Sequence, residues 1–297
     1  MTTVSLYRPP DVTDIRSIYP FESHWLQVAG GALHYLDEGT GTGPPVVLLH
    51  GNPTWSFYYR RLIAALRPTR RVIAPDHLGC GLSEKPQQYS YRLDDHIANI
   101  AHLLRSLGID EIDLVVHDWG GAIGFGVAAR RLVRVRRAVV LNTAAFLSPQ
   151  IPLRIAACKL PLVGDIAIRL ANGFARGALA MAVEQPLDPM VRAGYLLPYR
   201  SYADRIANLR FVQDIPLNPH HPTWATVAGI DARLALLRDT DMCILWGGKD
   251  WCFDDHFLAG WMQRFPHASV QRFDDAGHYV LEDAHAVLIP RACAFLG

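Results

Sequence analysis

The 297 residues contain no G-x-S-x-G, no C-x-x-C and no H-E-x-x-H. These absences remove the serine-esterase elbow, the zinc knuckle or dithiol pair, and the zinc-peptidase helix, and no other metal-binding cluster stands out. The five cysteines, Cys80, Cys158, Cys243, Cys252 and Cys293, are odd in number and widely spaced. No disulfide framework is indicated, and a reducing cytoplasm is the expected home. No run approaches the ~20 uncharged apolar residues that span a bilayer, and Met1 to Phe21 lacks the basic start and apolar centre of an export signal. Neither sign of charge is in excess. The 29 Lys and Arg stand against 28 Asp and Glu, a formal net charge of +1, and a chain without a basic surplus is not built for a phosphate backbone. Internal repeats, low-complexity tracts and long linkers are missing as well.

What is present is an ordinary globular composition, 50% hydrophobic and 10% aromatic, in a length that buries one sizeable core. Short β-branched runs close in polar or glycine-rich turns at Val46 to His50, Arg71 to Asp76, Ile112 to Asp118, Ala138 to Thr143, Cys243 to Asp250 and Ser269 to Asp274, and read as buried strands. Between them Tyr58 to Leu66, Asp94 to Leu107 and Gly121 to Arg131 carry apolar residues at helical spacing. Such alternation gives a parallel sheet with helices on both faces. It stops after Thr143 and resumes near Met242, so 146–235 reads as an inserted helical cap and 1–145 with 236–297 as the core. Within the cap, Ile151 to Val183 is apolar but broken by Arg154, Lys159, Asp165, Arg169 and Arg176. That pattern suits helices covering a pocket, or a surface helix lying against lipid, as in a membrane-associated enzyme, or against another subunit.

Val116-His117-Asp118-Trp119-Gly120-Gly121 has the form of a strand end, an exposed residue, two glycines and a helix, the sharp elbow that lifts a nucleophile out of a sheet. The elbow residue is Asp, and Val116 stands where the esterase pattern has its first glycine. A strand-end Asp often only caps the next helix. The Trp-Gly-Gly that follows favours a nucleophile here. A carboxylate that attacks an acyl carbon makes an unproductive anhydride, whereas attack on saturated carbon displaces halide or opens a strained ring and leaves an alkyl ester. Clearing that ester calls for a histidine held by a second carboxylate. Asp275-Ala276-Gly277-His278-Tyr279, after the last expected strand, supplies His278. The strand ending at Thr143 is followed by no carboxylate, whereas Trp246 to Trp251 offers Asp250, with Asp254 and Asp255 as rivals. Donors for the departing negative charge are expected from the backbone of Trp119 and of the His50-Gly51-Asn52-Pro53 turn, joined by the Trp119 indole and the Asn52 amide. His50, His77, His117, His220, His221 and His256 lack such a setting and read as structural or solvent-facing.

These pieces resemble the haloalkane dehalogenase group of α/β-hydrolases from about Tyr35 to the C-terminus, with specific matches at His50 to Ser56, Asp76 to Pro86 and His117 to Gly121. The resemblance implies an α/β-hydrolase fold, a mostly parallel eight-stranded sheet with an inserted helical cap. It also implies a catalytic set of Asp118, His278 and Asp250, halide-stabilising roles for Asn52 and Trp119, and no metal or organic cofactor. An acid at Asp250 with Asn and Trp donors is similar to the third subgroup, which also resembles the β-lactone decarboxylases of bacterial olefinic-hydrocarbon biosynthesis. Leu141 to Phe146, Asn172 to Ala175 and Tyr199 to Arg205 look like the cap of the latter. That likeness implies conversion of an apolar, lipid-like cis-3,4-dialkyl β-lactone to a cis-alkene and carbon dioxide, and assembly with the thiolase and synthetase of that pathway. Haloalkane hydrolysis is the alternative on the same residues. Epoxide hydrolysis needs cap acids, for which Tyr195, Tyr199 and Tyr202 are candidates, although Asn52 replaces the bulky residue typical of that group's turn. A non-catalytic binding subunit is the reading that the complete constellation weakens most.

Overall fold

The structure is a computed structural model and describes residues 7–148, 153–160 and 162–297, with backbone only at 153 and 154. Ile151, Pro152 and Pro161 of the apolar cap stretch, the Arg154 side chain and Met1 to Leu6 lie outside the described residues. Eight strands form one sheet: β1 (His24–Val28), β2 (Gly31–Glu38), β3 (Val46–Leu49), β4 (Val72–Pro75), β5 (Glu111–Asp118), β6 (Arg134–Thr143), β7 (Asp241–Gly247) and β8 (Ser269–Phe273). Their order is β1-β2-β4-β3-β5-β6-β7-β8, with β2 antiparallel to β1 and β4 and every later pair parallel.

The helices are α1 (Arg60–Leu66), α2 (Leu93–Ser106), α3 (Trp119–Ala129), α4 (Leu153–Cys158), α5 (Gly173–Met181), α6 (Pro189–Leu196), α7 (Ile206–Gln213), α8 (Trp224–Arg233), α9 (Asp255–Arg264), α10 (Val280–Asp283) and α11 (His285–Leu296). Strand side chains alternate between the two faces of a sheet, and here both faces are apolar because both are covered. Val47, Leu49, Leu114, Val116 and Val140 pack with α2, α3, α8 and α9, whereas Val46, Leu48, Val115, Val139 and Leu245 pack with α1 and α11. Truncating one of these, Leu48→Ala for example, removes about 2–5 kcal/mol of stability.

The six strands expected from the sequence are present, and the hairpin β1–β2 adds two that β-branched runs do not announce. Val28 is the single β-branched residue in β1 and β2. The pair sits at the sheet edge, where β1 buries alternate positions at best and Trp25 stays 44% exposed. Edge strands need no continuous apolar run.

Between β6 and β7 the described residues hold helices and turns: α4, a π-helical segment Asp165–Leu170, and α5 to α8. Of these, α8 sends Val227 and Ile230, and α7 sends Ile206, Ala207 and Phe211, into the core beside α2 and α3, while Leu179 of α5 and Val191 and Tyr195 of α6 join the cluster on the other face of the sheet. Side chains also stitch the segments to one another. The Lys159 ammonium donates to the carbonyls of Val212 (3.1 Å) and Gln213 (2.7 Å) in the last turn of α7 and of Ile215 (2.6 Å) just beyond it, and Arg205 donates to those of Tyr199 (2.9 Å) and Arg200 (2.8 Å). Among the described residues no helix is long and apolar enough to cross a membrane.

Candidate active site

Asp118 ends β5 and precedes α3 with φ at +52°, a left-handed conformation that costs a non-glycine residue about 1–3 kcal/mol and is held only where the surroundings over-determine it. Two close approaches do so. A Cβ on Gly120 would overlap the Leu49 carbonyl, and one on Gly51 would overlap the Asp118 carboxylate, so both positions require glycine. The Thr143 hydroxyl donates to the Asp118 main-chain oxygen and ties the elbow to β6. The carboxylate does not cap α3. Its Oδ1 accepts the Asn52 backbone N–H at 2.6 Å, and the Trp119 N–H also reaches the carboxylate. Burial raises the Asp118 carboxyl above the ordinary carboxylate range, against the opposing pull of His278 and those two N–H groups.

The second oxygen faces His278, with Oδ2 3.7 Å from Nε2, beyond a hydrogen bond but within one small movement of it. On the other side His278 Nδ1 lies 2.7 Å from Asp250 Oδ2, and Asp250 Oδ1 accepts the Cys252 N–H at 2.7 Å. Burial pulls the imidazolium down. The charge and hydrogen bond of Asp250, with Asp118 behind, outweigh that and hold the His278 pKa above the ordinary imidazole value. The Phe253 ring stacks on His278 with centroids 5.7 Å apart. The two rivals for the acid are otherwise engaged: Asp254 caps α9 through the His256 N–H at 3.0 Å, and Asp255 pairs with Arg272 at 2.9 Å. At the end of β6, Asn142 bridges to β7, accepting the Gly247 N–H at 2.7 Å and donating to its carbonyl at 3.0 Å.

Because backbone N–H groups hold the carboxylate itself, the donors left for a departing anion are side chains. Asn52 Nδ2 donates one hydrogen to the Asn208 carbonyl of α7 at 3.0 Å, which fixes which end of the amide faces the cap and leaves its second hydrogen available. Asn52, Trp119, Asp118 and His278 all line a cavity of about 410 Å³. The remaining wall is largely aliphatic and aromatic, including Phe146, Ile155, Ile168, Phe174, Val212 and Phe257. Such a site binds apolar groups and places four polar ones where a polarised carbon must sit.

The cap tyrosines do not reach it. The hydroxyl of Tyr195 donates to buried Glu282 at 2.5 Å, that of Tyr199 to the Thr54 carbonyl at 3.4 Å, and that of Tyr202 to Asp165 at 2.8 Å on the surface. The tyrosine on the cavity wall is Tyr279, next to His278 on the core loop. That loop is fastened to the cap. Tyr279 N–H donates to the Ala182 carbonyl at 2.6 Å, and the Asp283 carboxylate accepts the N–H groups of Gly277 (2.8 Å), Glu184 (3.0 Å) and Gln185 (3.2 Å). Of the other histidines, His50 and His77 bind each other, His77 N–H to His50 Nε2 at 3.0 Å and His77 Nε2 to the His50 carbonyl at 2.9 Å. His117 packs against His278, and Cys252, Phe253 and Tyr279 join the cavity wall. The sequence signal for His117 and Tyr279 is adjacency to a site residue, whereas Cys252 and Phe253 stand two and three residues beyond Asp250.

Four similarities bear on this geometry. A family model described as alpha/beta hydrolase fold matches residues 44–285. The chain is 45% identical over 287 residues to a cis-3-alkyl-4-alkyloxetan-2-one decarboxylase of Shewanella oneidensis, covering 94% of this chain and 90% of that one. It is 43% identical over 290 residues to the enzyme of the same name from Xanthomonas campestris, covering 94% and 97%. Among solved structures it resembles a haloalkane dehalogenase from Bradyrhizobium elkani with a TM-score of 0.84 and 27% identity, over 92% of this chain and 96% of that one.

Proposed function

The chain belongs to the α/β-hydrolase-fold family, and from that premise we propose that it decarboxylates cis-3,4-dialkyl β-lactones to cis-alkenes through Asp118. The observation that carries the reading is a carboxylate at the elbow, facing an apolar cavity, in a chain nearer in sequence to two proteins named oxetan-2-one decarboxylases than to the structurally similar dehalogenase. Asp118 Oδ2 attacks the saturated ring carbon bearing the alkyl group and oxygen, and the ring carbon–oxygen bond breaks, giving an alkyl ester on Asp118 and a free carboxylate. The Asn52 amide and the Trp119 indole receive that carboxylate as its charge develops. The bond from carboxylate carbon to chain then breaks; its electron pair forms the double bond, carbon dioxide leaves, and the Asp118 carboxylate is released. Inversion at the attacked carbon followed by anti loss keeps the two alkyl chains cis. No water or redox partner is consumed.

His278, held by Asp250, supports the second step as an imidazolium that donates to Oδ2 while the carboxylate departs. In the alternative reaction, haloalkane hydrolysis, the same histidine must be neutral to activate water. That alternative draws its support from the shared donor set and the dehalogenase-like fold. Epoxide hydrolysis has less, because Tyr195, Tyr199 and Tyr202 are bonded elsewhere. Five unpaired thiols suit a cytoplasmic enzyme working beside the thiolase and synthetase that supply the lactone, which co-purification of the three tests.

Incubation with a cis-dialkyl β-lactone, and separately with a 1-haloalkane, tests the assignment by gas chromatography of the alkene and by halide release. One cis-alkene and one carbon dioxide per lactone are expected. Halide release without alkene overturns the reading.

A further inference from the structure

His117, the residue before Asp118, takes no part in the chemistry described so far. Its ring is fully buried, stacks on Tyr58 with centroids 4.4 Å apart, and lies 4.5 Å from the His278 ring. Its Nε2 is 2.9 Å from the main-chain oxygen of His278. A carbonyl only accepts, so Nε2 carries the proton and donates. Nδ1 is then an unprotonated, buried nitrogen with no partner among the described residues. Burial, and after it the neighbouring His278, hold the His117 pKa well below the ordinary imidazole value, so the ring adds no charge beside His278.

The loop that carries His278 takes its support from its neighbours, including the Lys249 N–H, which donates to the Ala276 carbonyl at 2.9 Å. The strand before it, β8, is an edge strand with mostly exposed or half-exposed side chains. The flanking N–H groups of Gly277 and Tyr279 are bound to Asp283 and to the cap carbonyl of Ala182. From the sheet side, His117 holds the carbonyl of His278 itself.

We propose that His117 is a positioning residue, setting the separation between His278 and Asp118 through its Nε2–H bond to the His278 carbonyl. The nucleophile and this support are consecutive residues of β5, so one peptide unit ties both ends of the Asp118–His278 gap to the most central part of the sheet. Loss of the donor frees one end, and a displacement near 1 Å at such a gap costs up to about 10²-fold in rate. The proposal rests on His278 working against Asp118 and not on which substrate is turned over.

The test compares His117→Phe, which keeps an aromatic ring against Tyr58 but removes the donor, with His117→Gln, whose amide nitrogen reaches about as far as Nε2 and still donates. The main readout is the titration of His278 by NMR on histidine-labelled protein, with kcat and KM on the lactone beside it. The titratable groups facing His278 are Asp250, Asp118, Tyr279 and His117, and the first three are the same in both variants. When the loop loosens, the imidazole drifts from the carboxylates that hold its pKa up. His117→Phe is therefore expected to lower the His278 pKa by about half a unit or more and kcat by about tenfold, with KM within about twofold, and His117→Gln to restore both. A native titration in His117→Phe, or equal shifts in the two variants, overturns the proposal. If His117→Phe fails to fold, His117→Asn takes its place in the comparison, since its amide is too short to reach the carbonyl. A native protein that forms no alkene sinks the lactone reading and leaves the titration comparison standing.

Discussion

On the sheet side of the cavity, Asp118, Asn52, Trp119, Asp250 and His278 sit on strand ends and tight turns, where hydrogen bonds join Asp118 to Asn52 and Thr143 and His278 to Asp250. On the cap side, Ile155, Ile168, Phe174 and Val212 come from short helices joined by the side chains of Lys159 and Arg205. The cap is apolar inward and also outward, where Leu162 is 76% and Leu170 67% exposed. The difference separates two tasks. Bond-breaking depends on a few polar atoms at fixed distances, and substrate choice depends on the shape of a greasy wall. Changes on the sheet side should therefore lower kcat, and changes on the cap side should alter KM and chain-length preference.

The largest expected effect is on the sheet side. Asp118→Asn keeps the shape and should lower kcat by about 10⁴-fold or more. Intact-mass measurement with lactone should find no adduct on the variant, and turnover within a hundredfold of native would remove Asp118 from its role. Asp250→Asn should cost about 10³-fold, because the imidazole loses both its orienting partner and the charge that stabilises the imidazolium. Asp250 holds the His278 pKa up, so in this variant the limb of the pH profile carried by His278 should move to lower pH. The sign of that limb sharpens the substrate question. Lactone turnover should fall as pH rises through the raised pKa, whereas haloalkane hydrolysis should rise over the same range.

Trp119→Phe, which keeps the ring and deletes the indole N–H, should lower kcat by about 10²-fold with thermal stability nearly unchanged. The smallest effect belongs to the cap. Ile168→Ala enlarges the wall and should raise KM for long-chain lactones by about tenfold relative to short ones while leaving kcat within a few-fold. If steady-state kinetics gave Ile168→Ala a kcat loss as large as that of Trp119→Phe, the division between the two sides would collapse.

The same division governs what could be read from sequence. The elbow is local: strand, Asp, Trp, two glycines, Gly120 answering the close approach of the Leu49 carbonyl and Gly121 that of the Thr143 side chain. The remote partners followed because loops after β7 and β8 must meet at the sheet's end, where the structure brings Asp250 and His278 together. The hairpin β1–β2 escaped because an edge needs no β-branched run. The engagement of Asn52 with the Asn208 carbonyl, and of Tyr195 with Glu282, is a product of tertiary packing between segments more than 80 residues apart and leaves no trace in local pattern. The role of His117 was hidden for another reason. A buried histidine beside a nucleophile has the same sequence signature whether it fills space or holds a carbonyl.

The carboxylate of Asp283 binds the cap just past α5 and the loop of His278 at once. Mechanically this is a shared hinge pin. Whatever shifts the backbone at Glu184 and Gln185 is felt through one carboxylate at Gly277, the residue before the imidazole.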